Sequence, residues 1–452
     1  MLNFKKVDAT KGRLLPSLIV YAIPLILSTI VQSLFNAVDL SVLANMADSG
    51  AVASVGATST IVHLIINAFI GLSAGTKIIL ARYIGAKETE KIKKTVHTAL
   101  LSSLILGIFV AILGVRFAPD LLRLVDCPKE CFDGAVLYIR IYVSAAPFIL
   151  FYNYGASIIT AAGDTRRPFY YIVAGGILNI VLNVILCLLL PQKVAAVAIA
   201  TAASQILGAV LVAIRLFRTH SAIRVIFSEI RWSFEAFGKI LRFGLPLCLS
   251  NILFPLANLQ MQTAINSYGV SAVAGNSASS TLETLTSAFT SAFATSAAVF
   301  IGQNIGANQL DRAKKSFAHC LWLGAAAGLS IGLFFTITSK FWFSFLLPDD
   351  PIAVEYATIR LRFVLIYWLV GIDQVLSQTV QALGGAAYSA LNSVVCVFGL
   401  RIIWMNTIYP QNPTFFGIII CFMASWIMML FTNSVALAFY YRRFQKGRLK
   451  EF

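Results

Sequence analysis

The residues of this chain with the greatest potential for chemistry are three carboxylates that interrupt long apolar stretches. Asp39, Glu283 and Asp373 lie inside such stretches, whereas nearly all other acidic residues lie between them or at their ends. An acid at the centre of a membrane-spanning helix costs roughly 2.5 to 3.5 kcal/mol on insertion scales, so such residues usually face a cavity and have a function there. A carboxylate in that position can bind and release a proton, or bind a cation such as Na⁺.

Asp39 has polar neighbours at helical spacing. Ser28, Gln32, Asn36 and Asp39 recur at intervals that place them along one face of a helix. Because lipid would leave these groups without hydrogen-bond partners, the face is expected to look inward. We predict a proton-coupling or cation-coupling site at Asp39 and Asn36, with Na⁺ as a possible ligand. The alternative is that Asp39 caps a helix end near the outer surface.

Two further features of the first half bear on this site. Asn179 and Asn183 are four residues apart, so they share a helix face, and we predict that they belong to the same coupling site. Pro24 removes a backbone hydrogen bond inside the first apolar stretch, where the helix can bend. Pro24 is therefore predicted either to act as a conformational hinge coupled to Asp39 or to shape a static kink.

The second half offers amides, two acids and one buried base. Arg401 is the expected buried partner of an acid, and a pair with Asp373 could be a structural salt bridge or a functional one. Glu283 could also be exposed at the surface. We expect the cavity face to be acidic and rich in amides. The predicted cavity and substrate residues are Gln32, Asn258, Gln262, Glu283, Asp373, Gln374, Gln378 and Arg401.

Long apolar helices must position these residues. The 452-residue chain is 58% hydrophobic and only 12% charged, with a mean hydropathy of +0.82, whereas soluble proteins are about 25% charged. Continuous apolar runs near the roughly 20 residues that cross a bilayer indicate helices rather than strands. We predict an all-α membrane protein with twelve spans. They lie near 14–43, 54–78, 95–117, 134–160, 168–190, 194–216, 237–266, 277–301, 315–338, 354–382, 390–409 and 415–440.

Positive charge is distributed very unevenly over the connectors. Most of the 35 basic residues lie before the first span, after the last, or in alternate connectors between them. This asymmetry predicts that both termini face the cytoplasm of a multi-pass cell membrane protein. The basic surface then faces anionic lipid rather than nucleic acid. The connectors assigned to the other side contain only Arg116, Arg123, Lys129, Lys193 and Lys340.

The sequence contains an internal repeat, and each copy covers about half of the chain. RYIGAKETEKIKK at 82–94 reappears as QNIGANQLDRAKK at 303–315, and similar offsets relate Pro24 to Pro246 and Gly163 to Gly384. Because six spans are repeated, the two copies are expected to be six-helix bundles related by a pseudo-twofold axis along the membrane normal. The predicted domains are 1–217 and 236–452, joined by a linker at 218–235 that is either a short interfacial helix or a plain polar segment.

Several function classes do not fit this sequence. The four histidines are scattered, and neither a zinc-type cluster nor a nucleophile elbow occurs, so we predict no enzyme and no cofactor. A phosphate loop of the Walker type is absent, so no ATPase subunit is expected. Cys127 and Cys131 in the outer-loop segment CPKEC could form a disulfide, but unpaired thiols are the default expectation.

Several segments together resemble the multidrug and toxic compound extrusion (MATE) family over nearly the whole chain. They are IPLILSTIVQSLFNAVDLSVLANM, ARYIGAKE, AAGDTRRPFYY, GGILNIVLNVIL and FIGQNIGANQ. SASSTLETL at 277–285, GIDQVLSQTVQALGG at 371–385 and GLRIIW at 399–404 are most similar to a branch common in Gram-positive bacteria.

The resemblance implies two six-helix bundles around a central cavity that opens alternately to either side. It also implies export of organic, often cationic and amphipathic, compounds driven by inward flow of Na⁺ or H⁺. The matching Asp in relatives is associated with cation coupling, which supports Asp39 in that role. Asn183 stands where several branches have an Asp, so H⁺ is favoured over Na⁺. A flippase for lipid-linked or amphiphilic substrates is the alternative, and the protein is expected to be a monomer.

Overall fold

Helices are the only regular secondary structure in the part of the chain that the structure describes. This computed structural model describes residues 6–46, 49–348 and 350–445, without the side chains of 36, 39, 40, 43, 44 and 49. The helices are α1 Leu14–Met46, α2 Ser49–Gly85, α3 Thr89–Leu124, α4 Phe132–Ser144, α5 Ala146–Ala161, α6 Arg166–Leu189, α7 Lys193–Arg218, α8 Phe234–Asn266, α9 Val270–Gly306, α10 Leu310–Ile337, α11 Ser339–Leu346, α12 Pro351–Leu361, α13 Tyr367–Ala382, α14 Ala386–Ser393, α15 Leu400–Thr407 and α16 Phe415–Gln445. The predicted all-α class is confirmed.

Each predicted span has a helical counterpart, although three spans are interrupted. Ten helical segments within the described ranges are long and apolar enough to cross a membrane, and α4 and α5, which are bent by 48° at their junction, make an eleventh if the pair is one span. Pro147 lies in the first turn of α5, where it cannot continue the hydrogen bonding of α4. The span predicted at 354–382 folds as α12, a 3₁₀ turn at Arg362–Ile366 and α13. A π-helical segment, Val394–Gly399, separates α14 from α15.

The sequence repeat is also present in the backbone geometry. Gly163 and Gly384, which end equivalent helices, have φ values of +85° and +101°. Lys87 and Asn308 follow α2 and α9, and each has a φ of 57°. Few non-glycine residues adopt this left-handed conformation, so its recurrence at matching positions shows that the two copies fold alike locally.

The chain forms two compact units that do not separate at the linker. Unit 1 contains Leu27–Cys248, and unit 2 contains Asp8–Ile26 together with the residues from Leu249 onward. Helices α1 and α8 therefore contribute to both units. The sequence-based boundaries at 217 and 236 remain a prediction.

The linker between α7 and α8 is not the interfacial helix that its mixture of basic and aromatic residues suggested. Only Phe227–Glu229 forms a single 3₁₀ turn. Its polar groups bond to α3 instead: Lys93 forms a 3.0 Å ion pair with Glu229, and the Ser233 N–H donates to Thr98 Oγ1 at 3.2 Å. The β-branched residues Ile223, Val225 and Ile226 favour this extended course over a helix.

Helix α10 packs against the interrupted span of unit 2 through a row of glycines. A Cβ at Gly328 would lie 2.4 Å from the Tyr367 carbonyl oxygen, and one at Gly332 would lie 2.4 Å from that of Val364. This spacing of small residues lets helix backbones approach closely in a membrane. Gly107 in unit 1 occupies the equivalent place, where a Cβ would lie 2.4 Å from the Pro147 Cα.

We expect Gly328→Ala to lower the stability of the folded protein. The added methyl would meet backbone atoms that can move only if α10 or α13 shifts, and overpacking of this kind costs about 1–3 kcal/mol. Thermal unfolding of the purified protein in a neutral detergent measures the effect. Gly56→Ala is the matched control, because a Cβ there meets nothing within 4 Å. Equal unfolding temperatures for the two variants would contradict the close-packing account.

Candidate functional site

Unit 2 encloses a polar cavity of about 370 Å³ among apolar helices. Its wall is formed by side chains from α8, α9, α12, α13, α15 and α16. Five of the predicted cavity residues contribute to it, namely Asn258, Gln262, Glu283, Gln374 and Arg401. The side-chain oxygen of Gln374 accepts no hydrogen bond from the described residues, so this wall retains a free acceptor.

Glu283 is held by a base and a hydroxyl rather than exposed at the surface. Arg360 Nη2 lies 2.6 Å from Glu283 Oε2, and the Tyr367 hydroxyl donates to the other carboxylate oxygen. Arg360 also donates through Nη1 to Asn276. Since Arg360 and Glu283 have opposite charges and are in direct contact, they neutralise each other in the cavity wall.

Arg401 is positioned by neutral groups. It is 1% exposed, and it is the second residue of α15, which begins directly after the π-helical segment at 394–399. Its Nη1 donates to Asn258, and Nε and Nη2 lie 3.4 and 3.2 Å from Ser425 Oγ. The guanidinium carbon lies 4.5 Å from the centre of the Phe422 ring, within the range of a cation–π contact. The prediction that an acid pairs with Arg401 is therefore wrong for the described residues.

Asp373 belongs to a separate buried chain of polar groups. It is 1% exposed, and Asn433 donates to its Oδ1 at 2.7 Å. Asn392 donates to Asn433 at 3.0 Å, and the Cys396 thiol donates to Asn392. Neither Asp373 nor Gln378 lies in the described wall of the unit 2 cavity. A neighbouring amide satisfies this carboxylate in place of the expected arginine.

The prediction of an acidic cavity face is therefore wrong for the unit 2 cavity. Its described wall carries two arginines, Arg360 and Arg401, and one carboxylate, Glu283. The amides that were expected are present. The formal charge of the wall is therefore positive rather than negative.

Unit 1 encloses a smaller cavity of about 150 Å³. Gln32 from α1 and Asn179 from α6 both line it. Asn183 is fully buried beside them and donates to Asn179 Oδ1 at 3.1 Å. The two helices approach closely, because a Cβ at Gly176 would overlap the ring of Phe35. The structure therefore brings together three of the polar residues predicted on these helices.

The remaining predicted residues lie on α1. Asn36 and Asp39 belong to this helix, and their side chains lie outside the described residues. Pro24 lies inside the helix, which continues on both sides of it. Among the described residues no group of three or more His, Cys, Asp or Glu side chains could hold a metal ion.

Sequence reasoning missed several residues of the unit 2 cavity network. Arg360 lies inside the span predicted at 354–382, and a charged residue in such a span is a signal of function by which it could have been found. Asn276, Tyr367 and Ser425 carry no comparable signal, because isolated polar residues in apolar helices are common. Their contacts are made across helices that are distant in sequence.

Comparison with known proteins identifies the family. A family model described as MatE matches residues 24–185 and 246–405. The chain is 26% identical over 396 residues to the probable multidrug resistance protein YoeA of Bacillus subtilis, covering 85% of each chain. It is 22% identical over 413 residues to the multidrug export protein MepA of Staphylococcus aureus, covering 88% of this chain and 89% of that one.

A solved structure shares the architecture. An outward-facing MATE family transporter of the MOP superfamily superposes with a TM-score of 0.85 at 23% identity, covering 99% of each chain. The two family matches fall on the two sequence copies, one on each, and together cover most of the chain. This chain belongs to the MatE family of multi-span membrane transporters.

Proposed function

We propose that this protein exports organic amphipathic compounds by alternating access, coupled to inward movement of a cation, with H⁺ favoured over Na⁺. The observation that carries the proposal is that each unit encloses a polar cavity among helices apolar enough to cross a membrane. A soluble organic molecule needs such polar walls inside the bilayer. The similarity to bacterial proteins of multidrug resistance and multidrug export supports this proposal.

The membrane placement follows from the family and the charge pattern. Relatives of this chain are bacterial, and its helices span a membrane, so the protein resides in a cell membrane. We propose that both termini are cytoplasmic, because the basic connectors cluster on their side. An inward cation gradient would then drive outward movement of the organic compound.

Asp39 is proposed as the coupling group, with Asn36, Asn179 and Asn183 as its polar surroundings. Asn179 lines the unit 1 cavity together with Gln32 of α1, and Asn183 donates to Asn179. This site offers a single anionic ligand, Asp39, besides amide oxygens, which supports H⁺ over Na⁺ as the coupling ion.

Asp39→Asn is expected to abolish gradient-driven transport, because the amide cannot exchange a proton. Proteoliposomes loaded with a fluorescent cationic dye, given in turn an inward H⁺ and an inward Na⁺ gradient, measure the effect and identify the ion. The control is Asp120→Asn, since Asp120 is exposed and paired only with Arg123 at 3.2 Å. Undiminished dye movement in folded Asp39→Asn would exclude this carboxylate as the coupling group.

Pro24 is proposed as the hinge of α1. It lies two residues before Ile26, where α1 passes from unit 2 to unit 1, and an interior proline weakens the helix at that point. A helix that contributes to both units is a natural place for a conformational change to act.

Pro24→Ala is expected to slow transport more than it weakens substrate binding, because the restored hydrogen bond stiffens α1. The maximal rate of dye transport and the equilibrium affinity for the same dye provide the two readouts. Pro16→Ala is the matched control, since Pro16 lies in the first turn of the same helix, where no interior bond is lost. If both variants transport at the wild-type rate, Pro24 shapes only a static kink.

A flippase for amphiphilic lipids is the second candidate, favoured by the positive charge of the unit 2 wall. Lipid-linked sugars carry phosphates, which Arg401 could bind, since Glu283 pairs with Arg360 rather than with Arg401. A labelled lipid-linked sugar that changes leaflet in proteoliposomes without any ion gradient, while the dye stays in place, would favour this candidate over export.

A further inference from the structure

The charge balance of the unit 2 cavity is incomplete. Glu283 and Arg360 compensate each other at 2.6 Å, and the Tyr367 hydroxyl occupies the second oxygen of the carboxylate. Arg401 is then left as a full positive charge with no anionic partner among the described residues of the cavity wall. A buried charge in a medium of low polarity is costly unless an opposite charge and hydrogen bonds compensate it.

The hydrogen bonds of Arg401 leave donors free. A guanidinium has five N–H groups, and the observed bonds use one on Nε, one on Nη1 and one on Nη2. One N–H on each terminal nitrogen remains. The Asn258 oxygen accepts from Arg401, and its amide N–H₂ group makes no further bond within the described part of the chain. Arginine and amide therefore present donors side by side.

The rest of the wall provides an apolar surface for the body of a ligand. Phe254, Met261 and Trp426 line the same cavity. The ring centroids of Phe254 and Phe422 lie 5.5 and 4.5 Å from the Arg401 guanidinium carbon, so two aromatic rings contact the cation. This arrangement fixes the orientation of Arg401 before any ligand binds, which lowers the entropy cost of binding.

We propose that the exported compound carries an oxyanion, a carboxylate or a phosphate, that binds to Arg401 and Asn258 in the unit 2 cavity. The proposal deepens the proposed function, on which it rests, by naming the charge of the substrate. The planar guanidinium fork matches the oxygens of a carboxylate or phosphate in a bidentate contact. The cavity volume of about 370 Å³ accommodates a small amphiphile whose tail lies against the aromatic wall.

Calorimetric titration of the purified protein in a neutral detergent tests the proposal. The probes are octyl phosphate, octanoate, inorganic phosphate and octyltrimethylammonium, which separate head-group charge, head-group chemistry and the need for a tail. We expect the two anionic amphiphiles to bind more tightly than the ammonium amphiphile. If octyl phosphate binds more tightly than octanoate, the head group of the substrate is a phosphate, and the reverse order indicates a carboxylate. If inorganic phosphate binds as tightly as octyl phosphate, the ligand is a free anion without a tail.

Variants connect the binding to this arginine. Arg401→Gln is expected to weaken oxyanion binding ~10- to 100-fold, the value of a charge-assisted hydrogen bond, and Arg401→Lys to retain an intermediate affinity. Arg140→Gln is the matched control, because Arg140 occupies the position in the first copy that Arg360 occupies in the second, and it is exposed. It should bind like the wild type.

The proposal is overturned if octyltrimethylammonium binds as tightly as the anions, or if folded Arg401→Gln binds them unchanged. Should Arg401→Gln fail to fold, the preference of the wild-type protein among the four probes still decides the question. If the protein exports a cationic dye and does not prefer anionic amphiphiles, the oxyanion inference is overturned while the proposed export function stands. Absence of any transported compound would instead contradict the proposed function.

Discussion

Every polar side chain inside this protein must find a partner without bulk water, and the rest of the site depends on that constraint. In unit 2, Asp373 meets it through Asn433 and Asn392, and Glu283 meets it through Arg360 and Tyr367. Arg401 meets it only in part, through neutral acceptors and aromatic rings. Arg401, whose charge and N–H donors are the least compensated by neighbouring side chains, is therefore the residue of this wall best suited to recognise a ligand.

Close helix packing makes this arrangement possible. The glycines of α10 let the interrupted span of unit 2 approach so closely that Val364 and Tyr367 carbonyls face the α10 backbone. Tyr367 then begins α13 at the point where its hydroxyl reaches Glu283. The π-helical segment before α15 acts similarly, since it sets the direction from which Arg401 enters the cavity wall. Irregular backbone thus lies next to the side chains of the candidate site, an arrangement that is common in membrane transporters.

Much of the fold was predictable from sequence, because hydrophobic runs and repeated turns are local properties. The positive φ of Gly163 and Gly384 appears in the sequence as a matched glycine pair. The partners of Arg401 were not predictable, since helical spacing relates residues on one helix and says nothing about which helices face each other. Asp373 looked equally available, yet Asn433 on α16 already binds it. The short interfacial helix considered for the linker was not formed for a related reason, since Glu229 of the linker pairs with Lys93 of α3, a contact between distant segments that local sequence does not reveal.

The central claim is that an organic amphiphile moves in exchange for a cation. The most direct test places the protein in liposomes that contain trapped H⁺-sensitive and Na⁺-sensitive dyes, and adds an amphiphile of fixed charge outside. Exchange predicts that the interior loses protons, or Na⁺, as the amphiphile enters, at a rate above that of protein-free vesicles. If the amphiphile enters and neither ion moves, the protein is not an antiporter and the coupling role of Asp39 is excluded.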